Sequence, residues 1–152
     1  MLLDQEELGA WRGMLRTHAE LTRALDAELT RAHDMPLSSY EVLLFLNDSD
    51  DGRMRMSELA DSVLLSRSGL TRLVDRLVAL GYVRRNACAD DGRGSYAELT
   101  QDGAAKLEAA RRTHLAGVRE FFLERLGDED QRALGDAWEK VLLPSEHLRL
   151  PA

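Results

Sequence analysis

Residues 65–81 read Leu65-Ser66-Arg67-Ser68-Gly69-Leu70-Thr71-Arg72-Leu73-Val74-Asp75-Arg76-Leu77-Val78-Ala79-Leu80-Gly81, and their periodicity is that of a helix with two unlike faces. Leu70, Leu73, Val74, Leu77 and Leu80 recur at i, i+3, i+4, i+7 and i+10, one apolar stripe at helical spacing. The other face carries Arg67, Ser68, Thr71, Arg72, Asp75 and Arg76. Ser66 stands where a hydroxyl would cap the first turn, and Gly81 stands where a helix ends.

Working outward, Ser57 to Val63 predicts a short helix with Leu59 and Ala60 inside, joined to the first by the tight connection Leu64-Leu65-Ser66. Beyond Gly81 the pattern becomes extended. Tyr82-Val83-Arg84-Arg85 and Ser95-Tyr96-Ala97-Glu98-Leu99 flank the turn-prone stretch Ala89 to Gly94, which predicts a β-hairpin. Short helix, tight turn, helix and hairpin is the order of a winged helix-turn-helix, whose second helix lies in the major groove of DNA. Hydroxyls early in that helix approach base edges or phosphates closely, and arginines reach guanine in bidentate fashion or clamp phosphates. The candidate DNA-binding residues are therefore Ser66, Arg67, Ser68, Thr71, Arg72 and Arg76, with Arg93 between Gly92 and Gly94 for a narrow minor groove. Asp91 is assigned the supporting role of orienting an arginine of the wing. Each piece also fits a plainer reading: a solvated Arg- and Ser-rich surface, and an Asp-Gly pair that simply makes a turn.

The flanks predict long helices. From Leu8 the positions Trp11, Leu15, His18, Thr22, Leu25 and Leu29 follow one stripe until Pro36. Ser38 to Glu41 has capping-box spacing for a second helix that turns Val42, Leu43, Phe45 and Leu46 inward, and Asn47 to Gly52 reads as a loop. Thr100 is placed to cap a helix bearing Leu107, Leu115, Val118, Phe121, Phe122 and Leu126, ended by Gly127. Asp128 to Gln131 has capping-box spacing for a last helix with Leu134, Trp138, Val141 and Leu142, running to Pro144. The fold class is mainly α with a small β-hairpin wing. Residues 37–99 form the winged part of a single 1–152 domain, and residues 1–36 and 100–152 form helices suited to dimerisation.

The chain carries a net charge of −7, which argues against a nucleic-acid partner until its distribution is read. Between Arg53 and Arg93 stand eight arginines and five acids, a local surplus of three positive charges, so the remainder carries −10. A basic middle between acidic flanks suits a DNA reader embedded in a scaffold that DNA never touches; charge segregation on a solvated surface is the plainer alternative. At 152 residues the chain suits one compact unit. The longest apolar run, Val42 to Leu46, is far short of the roughly 18 residues of a membrane span. Acids at positions 4, 6 and 7 do not fit a signal peptide, and the single Cys88 excludes an intrachain disulfide; a cytoplasmic protein is expected.

Met56-Ser57-Glu58-Leu59-Ala60, the helix from Leu65 to Leu77, Gly81-Tyr82-Val83-Arg84-Arg85, Asp91-Gly92-Arg93-Gly94-Ser95-Tyr96 and Leu99-Thr100-Gln101-Asp102-Gly103 resemble, in order and spacing, the core of the MarR (multiple antibiotic resistance regulator) family. The resemblance implies a homodimer interlocked through its first and last two helices, each winged part reading half of a palindromic operator, with repression the commoner mode. Arg55 departs from the pattern, where relatives often carry a Ser or Thr cap. The resemblance further implies a cleft for a small aromatic or phenolic anion, for which Trp11, Met14, His18 and Phe45 are the candidates and Arg16 the carboxylate partner.

Catalysis is not expected, since His18, His33, His114 and His147 are scattered and neither a His-x-x-x-His pair, a Cys-x-x-Cys nor a glycine-rich phosphate loop is present. No cofactor, bound metal or membrane contact is expected. The remaining alternatives are a metal- or redox-responsive regulator of the same fold and a protein-interaction module without DNA binding. Against redox control, Cys88 sits at the start of the hairpin loop, away from the N-terminal helices where the peroxide-sensing branch of the resembling family keeps its cysteine.

Overall fold

The computed structural model describes residues 2–63, 65–87 and 94–142. In chain order the elements are α1 (Gln5–His33), α2 (Leu37–Asn47), β1 (Arg53–Arg55), α3 (Met56–Ser62), α4 (Arg67–Ala79), β2 (Val83–Ala87), β3 (Ser95–Leu99), α5 (Gln101–Phe121), a 3-10 turn (Leu123–Arg125) and α6 (Asp128–Leu142).

Local chemistry explains most boundaries. Asp4 Oδ1 accepts from the Glu7 amide at 2.9 Å and Glu7 Oε2 from the Asp4 amide at 2.8 Å, a reciprocal cap that starts α1 three residues before its apolar stripe. Asp34, in the left-handed conformation at φ 50°, ends it. The capping box expected at Ser38 and Glu41 does not form: α2 begins at Leu37, whose amide donates to Asp26 Oδ1 of α1 at 2.8 Å. A carboxylate from a neighbouring helix supplies the acceptor, so the local signal is not used.

Ser66 Oγ accepts from the Gly69 amide at 3.1 Å and Thr100 Oγ1 from the Gly103 amide at 3.0 Å, as their positions predict. α5 stops at Phe121, short of Gly127, and passes into the 3-10 turn. The cap of α6 also differs from expectation. Gly127 takes the N-cap place, its amide donates to Asp130 Oδ2 at 3.1 Å, and Gln131 Nε2 reaches back to the carbonyls of Leu123 and Leu126.

The β element is a three-stranded antiparallel sheet in the order β1-β3-β2, with the anticipated hairpin extended by the unforeseen strand β1. Val83 pairs with Leu99 and Arg85 with Ala97 on one side of β3, while Arg53 pairs with Glu98 and Arg55 with Tyr96 on the other. Because successive side chains alternate, Val83 and Ala97 point into the core, and Arg53, Arg55, Arg84, Asn86, Tyr96 and Glu98 share the opposite face.

The core joins the C-terminal end of α1, α2, α3, α4, the sheet and α5 through Leu29, Val42, Leu43, Leu46, Leu59, Leu70, Val74, Leu77, Val83 and Leu107. Leu80, assigned to the apolar stripe, is 60% exposed, because the helix ends there and Gly81 turns the chain at φ 78°. α1 buries only Leu29, and α6 buries none of its residues. Trp11 and Leu15 on α1, Leu115 on α5, and Trp138 and Val141 on α6 remain exposed, more apolar surface than one chain covers.

At the edge of the core, the ring of the half-buried His114 on α5 packs on that of Tyr40 on α2, their centres 4.5 Å apart. His114 Nδ1 is buried without a hydrogen-bond partner, and burial holds its imidazole below the ordinary value of 6.5. On acidification the unfolded chain therefore takes up the proton first. Stability from this site is full above about pH 6.5 and falls as pH drops through the lower folded value. Thermal midpoints from pH 8 to pH 5 should decline less steeply in His114→Phe than in wild type. Parallel profiles would show that the ring reaches solvent readily.

Candidate nucleic-acid interface

α4 is held by one face and open on the other. Leu70, Leu73, Val74 and Leu77 are buried, while Arg67, Ser68, Arg72, Asp75 and Arg76 are exposed and Thr71 is half-buried. A side chain on a face so anchored keeps its direction, which reading base edges requires. Ser66 and Ser68 place their hydroxyls 3.3 Å apart at the start of the helix.

Among the described residues, Arg67, Arg72 and Arg76 have no carboxylate partner. Asp75, the acid on this otherwise basic face, is engaged by the wing: Arg85 Nη1 donates to Asp75 Oδ1 at 2.8 Å. That pair crosses from β2 to α4 and ties the sheet to the helix. It also offsets the carboxylate that would otherwise repel phosphate.

Arg67 and Thr71 open onto a polar groove of about 390 Å³, completed by Arg55, Met56 and Ser57 at the β1–α3 junction and by Gly94 and Ser95 at the base of the wing. The guanidinium groups of Arg53 and Arg55 lie 5.3 Å and 5.4 Å from the centre of the Tyr96 ring. Arg55, noted in the sequence only as a departure at a helix start, is thus part of the groove. Its signal was the Arg-Met-Arg alternation, which places two arginines on one face of a strand. Glu58 Oε2 accepts from the Arg55 amide at 3.4 Å, the half of a capping box that the Glu at the third helical position supplies, while among the described residues no side chain takes the place of a Ser or Thr cap.

The predicted site residues do not all converge. Arg76 lines a separate cleft of about 300 Å³ with His33, Asp34, Leu80, Tyr82 and Lys106, roughly one and a half turns beyond Thr71 and two and a half beyond Arg67. Asp91 and Arg93, assigned to the wing, and Cys88 and His147 lie outside the described residues.

The effector candidates divide as well. Trp11, Met14 and His18 follow one stripe of α1, with Trp11 and His18 exposed and Met14 half-buried. α2 runs back along α1: Leu37 meets Asp26, and Glu41 lies within electrostatic reach of His18. Burial pushes the Glu41 carboxyl up, and the nearby His18 opposes that shift. Phe45, half-buried, follows Glu41 by one turn. Arg16 is not with them. At 100° per residue it faces away from that stripe, and it lines a cleft of about 500 Å³ with Phe121, Phe122 and Arg125.

Among the described residues no group of three or more His, Cys, Asp or Glu side chains is placed to hold a metal ion, and no helix is long and apolar enough to cross a membrane.

Residues 33–94 match the family model described as MarR family. The whole fold is similar to a MarR family transcriptional regulator from Streptomyces coelicolor solved in complex with DNA, at a TM-score of 0.85 and 35% identity, covering 99% of this chain and 96% of that one. It is also similar to AbsC, a MarR family transcriptional regulator from the same organism, at a TM-score of 0.82 and 35% identity over 98% of both chains. In sequence it is 30% identical to the HTH-type transcriptional repressor YetL of Bacillus subtilis over 106 residues, 67% of this chain and 63% of YetL.

Proposed function

The chain belongs to the MarR family of transcriptional regulators, and we propose that it binds duplex DNA as a homodimer and represses transcription from a palindromic operator. Membership of this family of regulators places it outside the enzymes. The observation that carries the reading is the rigidly anchored α4, whose Arg67, Ser68, Thr71 and Arg72 stand free of carboxylate partners among the described residues, beside a polar groove shared with the wing base. Arg67, Ser68, Thr71 and Arg72 enter the major groove, with Ser66 at the mouth of the helix, while Arg76 and Arg93 take backbone or minor-groove contacts.

The homodimer rests on the exposed Trp11, Leu15, Leu115, Trp138 and Val141, which a second copy would cover. Two-fold symmetry then sets the recognition helices about 34 Å apart, one helical turn of DNA. Sedimentation of the full chain at micromolar concentration should give a dimer, and Trp138→Asp should shift it toward monomer. A monomeric wild type at that concentration refutes the arrangement. Selection of bound fragments from genomic DNA, followed by reporter assays on the recovered promoters, tests operator binding and the sign of regulation together.

For release from DNA, the stripe Trp11, Met14 and His18 of α1, whose His18 lies near Glu41 of α2, and the half-buried Phe45 offer aromatic, thioether and polar groups to a small aromatic or phenolic anion at the edge of the dimer seam. Such a ligand acts only if it binds DNA-competent and DNA-incompetent arrangements unequally. A panel of salicylate-like compounds, scored by thermal stabilisation and DNA release in wild type, Trp11→Ala and His18→Ala, decides the matter. No response in wild type leaves these side chains as packing.

A further inference from the structure

We propose that the cleft between the end of α1 and the end of α4 binds a small apolar α-amino acid as a zwitterion, held by Arg76, Asp34 and Ser39. The site is separate from the stripe of Trp11, Met14 and His18. Binding stands on the cleft alone, and only its effect on DNA rests on the DNA-binding reading above.

The cleft measures about 300 Å³, within the size range of small-molecule sites. Asp34 and Ser39, at the corner between α1 and α2, form one wall, and Arg76 and Leu80, in the last turn of α4, form the other. Its polar groups are unspent. Ser39 is only 6% exposed, yet its hydroxyl has no hydrogen-bond partner among the described residues. A buried hydroxyl opening onto a cleft costs free energy until something there bonds it.

Arg76 and Asp34 line the same space with opposite charges, and neither has an ionic partner among the described residues, the other included. A molecule carrying both a carboxylate and an ammonium satisfies the two at once, the carboxylate on the guanidinium and the ammonium on Asp34. A plain carboxylate leaves Asp34 facing an anion. A plain amine leaves Arg76 unmatched.

The remaining lining suits the rest of such a ligand. Met35 and Leu77 are buried beneath it, and the half-buried Tyr82 ring adds an apolar wall for a hydrocarbon side chain. Lys106 braces that wall: its Nζ donates to the His33 carbonyl at 2.7 Å and lies 5.9 Å from the centre of the Tyr82 ring. His33 is itself fixed to α5 through Nε2, 2.7 Å from Thr113 Oγ1.

A ligand that joins Asp34 to Arg76 ties the recognition helix to the helical scaffold and occupies the guanidinium that the DNA-binding reading assigns to the duplex. Bound amino acid therefore lowers affinity for DNA, and bound DNA lowers affinity for the amino acid by the same factor.

The test titrates the full-length protein with L-leucine and L-phenylalanine, by calorimetry and thermal melts. The comparison ligands lack the ammonium (isocaproate, hydrocinnamate) or the carboxylate (isoamylamine, phenethylamine). At least one amino acid should raise the thermal midpoint and bind about tenfold or more tightly than either of its counterparts. Arg76→Gln should abolish that binding. Asp34→Asn should reduce it to the level of the counterpart without an ammonium, asparagine being tolerated at the φ of 50° found there. Ser39→Ala should weaken it while leaving the free protein's midpoint and DNA affinity unchanged.

Neither amino acid binding at millimolar concentration overturns the site, as does binding that persists in both Arg76→Gln and Ser39→Ala. Equal affinity for an amino acid and its counterpart without an ammonium overturns the zwitterion. Amino-acid binding without any change in affinity for operator overturns the coupling. A wild type that binds the amino acid and no duplex overturns the DNA-binding reading and leaves the site standing.

Discussion

Gly103→Ala is expected to lower the thermal midpoint of this protein by about 10 °C, although alanine normally favours a helix over glycine by about 1 kcal/mol. A Cβ added at Gly103 would stand 2.1 Å from the carbonyl oxygen of Tyr82 and 2.9 Å from Leu99 Cδ1. The first of these atoms is backbone, which cannot rotate aside. It sits at a junction held on three sides: the Thr100 amide donates to the same Tyr82 carbonyl at 3.1 Å, Thr100 Oγ1 donates to the Gly81 carbonyl at 2.6 Å, and the Gly103 amide donates to Thr100 Oγ1. This is where the hinge after α4, the last strand of the sheet and the start of α5 meet.

Overpacking of such a site costs roughly 3 kcal/mol. For a chain of this size each kcal/mol moves the midpoint by roughly 2–4 °C. Gly135→Ala is the control, since a Cβ there meets nothing within 4 Å and the change should be neutral or stabilising. Differential scanning calorimetry of both variants measures the contrast. A Gly103→Ala midpoint at or above wild type would mean that the junction yields and does not fix the wing against α5. The resemblance noted at Leu99 to Gly103 thereby acquires a physical reason: a hydroxyl cap and a residue without a side chain allow strand, turn and helix to approach.

Arg72→Ala is expected to weaken binding to the operator by roughly 1–3 kcal/mol, about 5- to 150-fold, with a smaller effect on random duplex. Arg72 is exposed, one turn beyond Ser68 on the open face of α4, and has no carboxylate partner among the described residues, so its removal should leave the melting curve unchanged. Asp75→Ala offers the opposite pattern. It removes the partner of Arg85, and its effect should appear in the coupling of sheet to helix before it appears in sequence preference. Equal weakening by Arg72→Ala on operator and random DNA would make Arg72 a phosphate ligand. No weakening on either would remove it from the interface.

Elements whose causes are local are legible in the amino-acid order. The stripe from Leu70 to Leu77, the Ser66 cap and Gly81 mark out α4 because helix periodicity, a hydroxyl N-cap and a positive φ act over a turn or two of chain. The hairpin and the Thr100 cap are legible for the same reason. The arginine surplus between Arg53 and Arg93 was likewise visible, since charge adds up without regard to geometry.

Partnerships between residues distant in the chain arise from packing instead. A three-residue β1 carries too little periodicity to announce itself, and it exists because β3 offers a second edge to pair with. The acceptor at the start of α2 comes from Asp26, eleven residues away, so the local box of Ser38 and Glu41 goes unused. Asp75 reads as a stray acid until the sheet brings Arg85 to it, and Arg55 reads as a missing cap until Tyr96 lies opposite. Arg16 separates from His18 because a helix turns 100° per residue, while the choice of which face meets α5 and which meets α2 belongs to the packing of three helices. A sequence states which groups are available, and the core, by burying one face of each element, decides which of them meet.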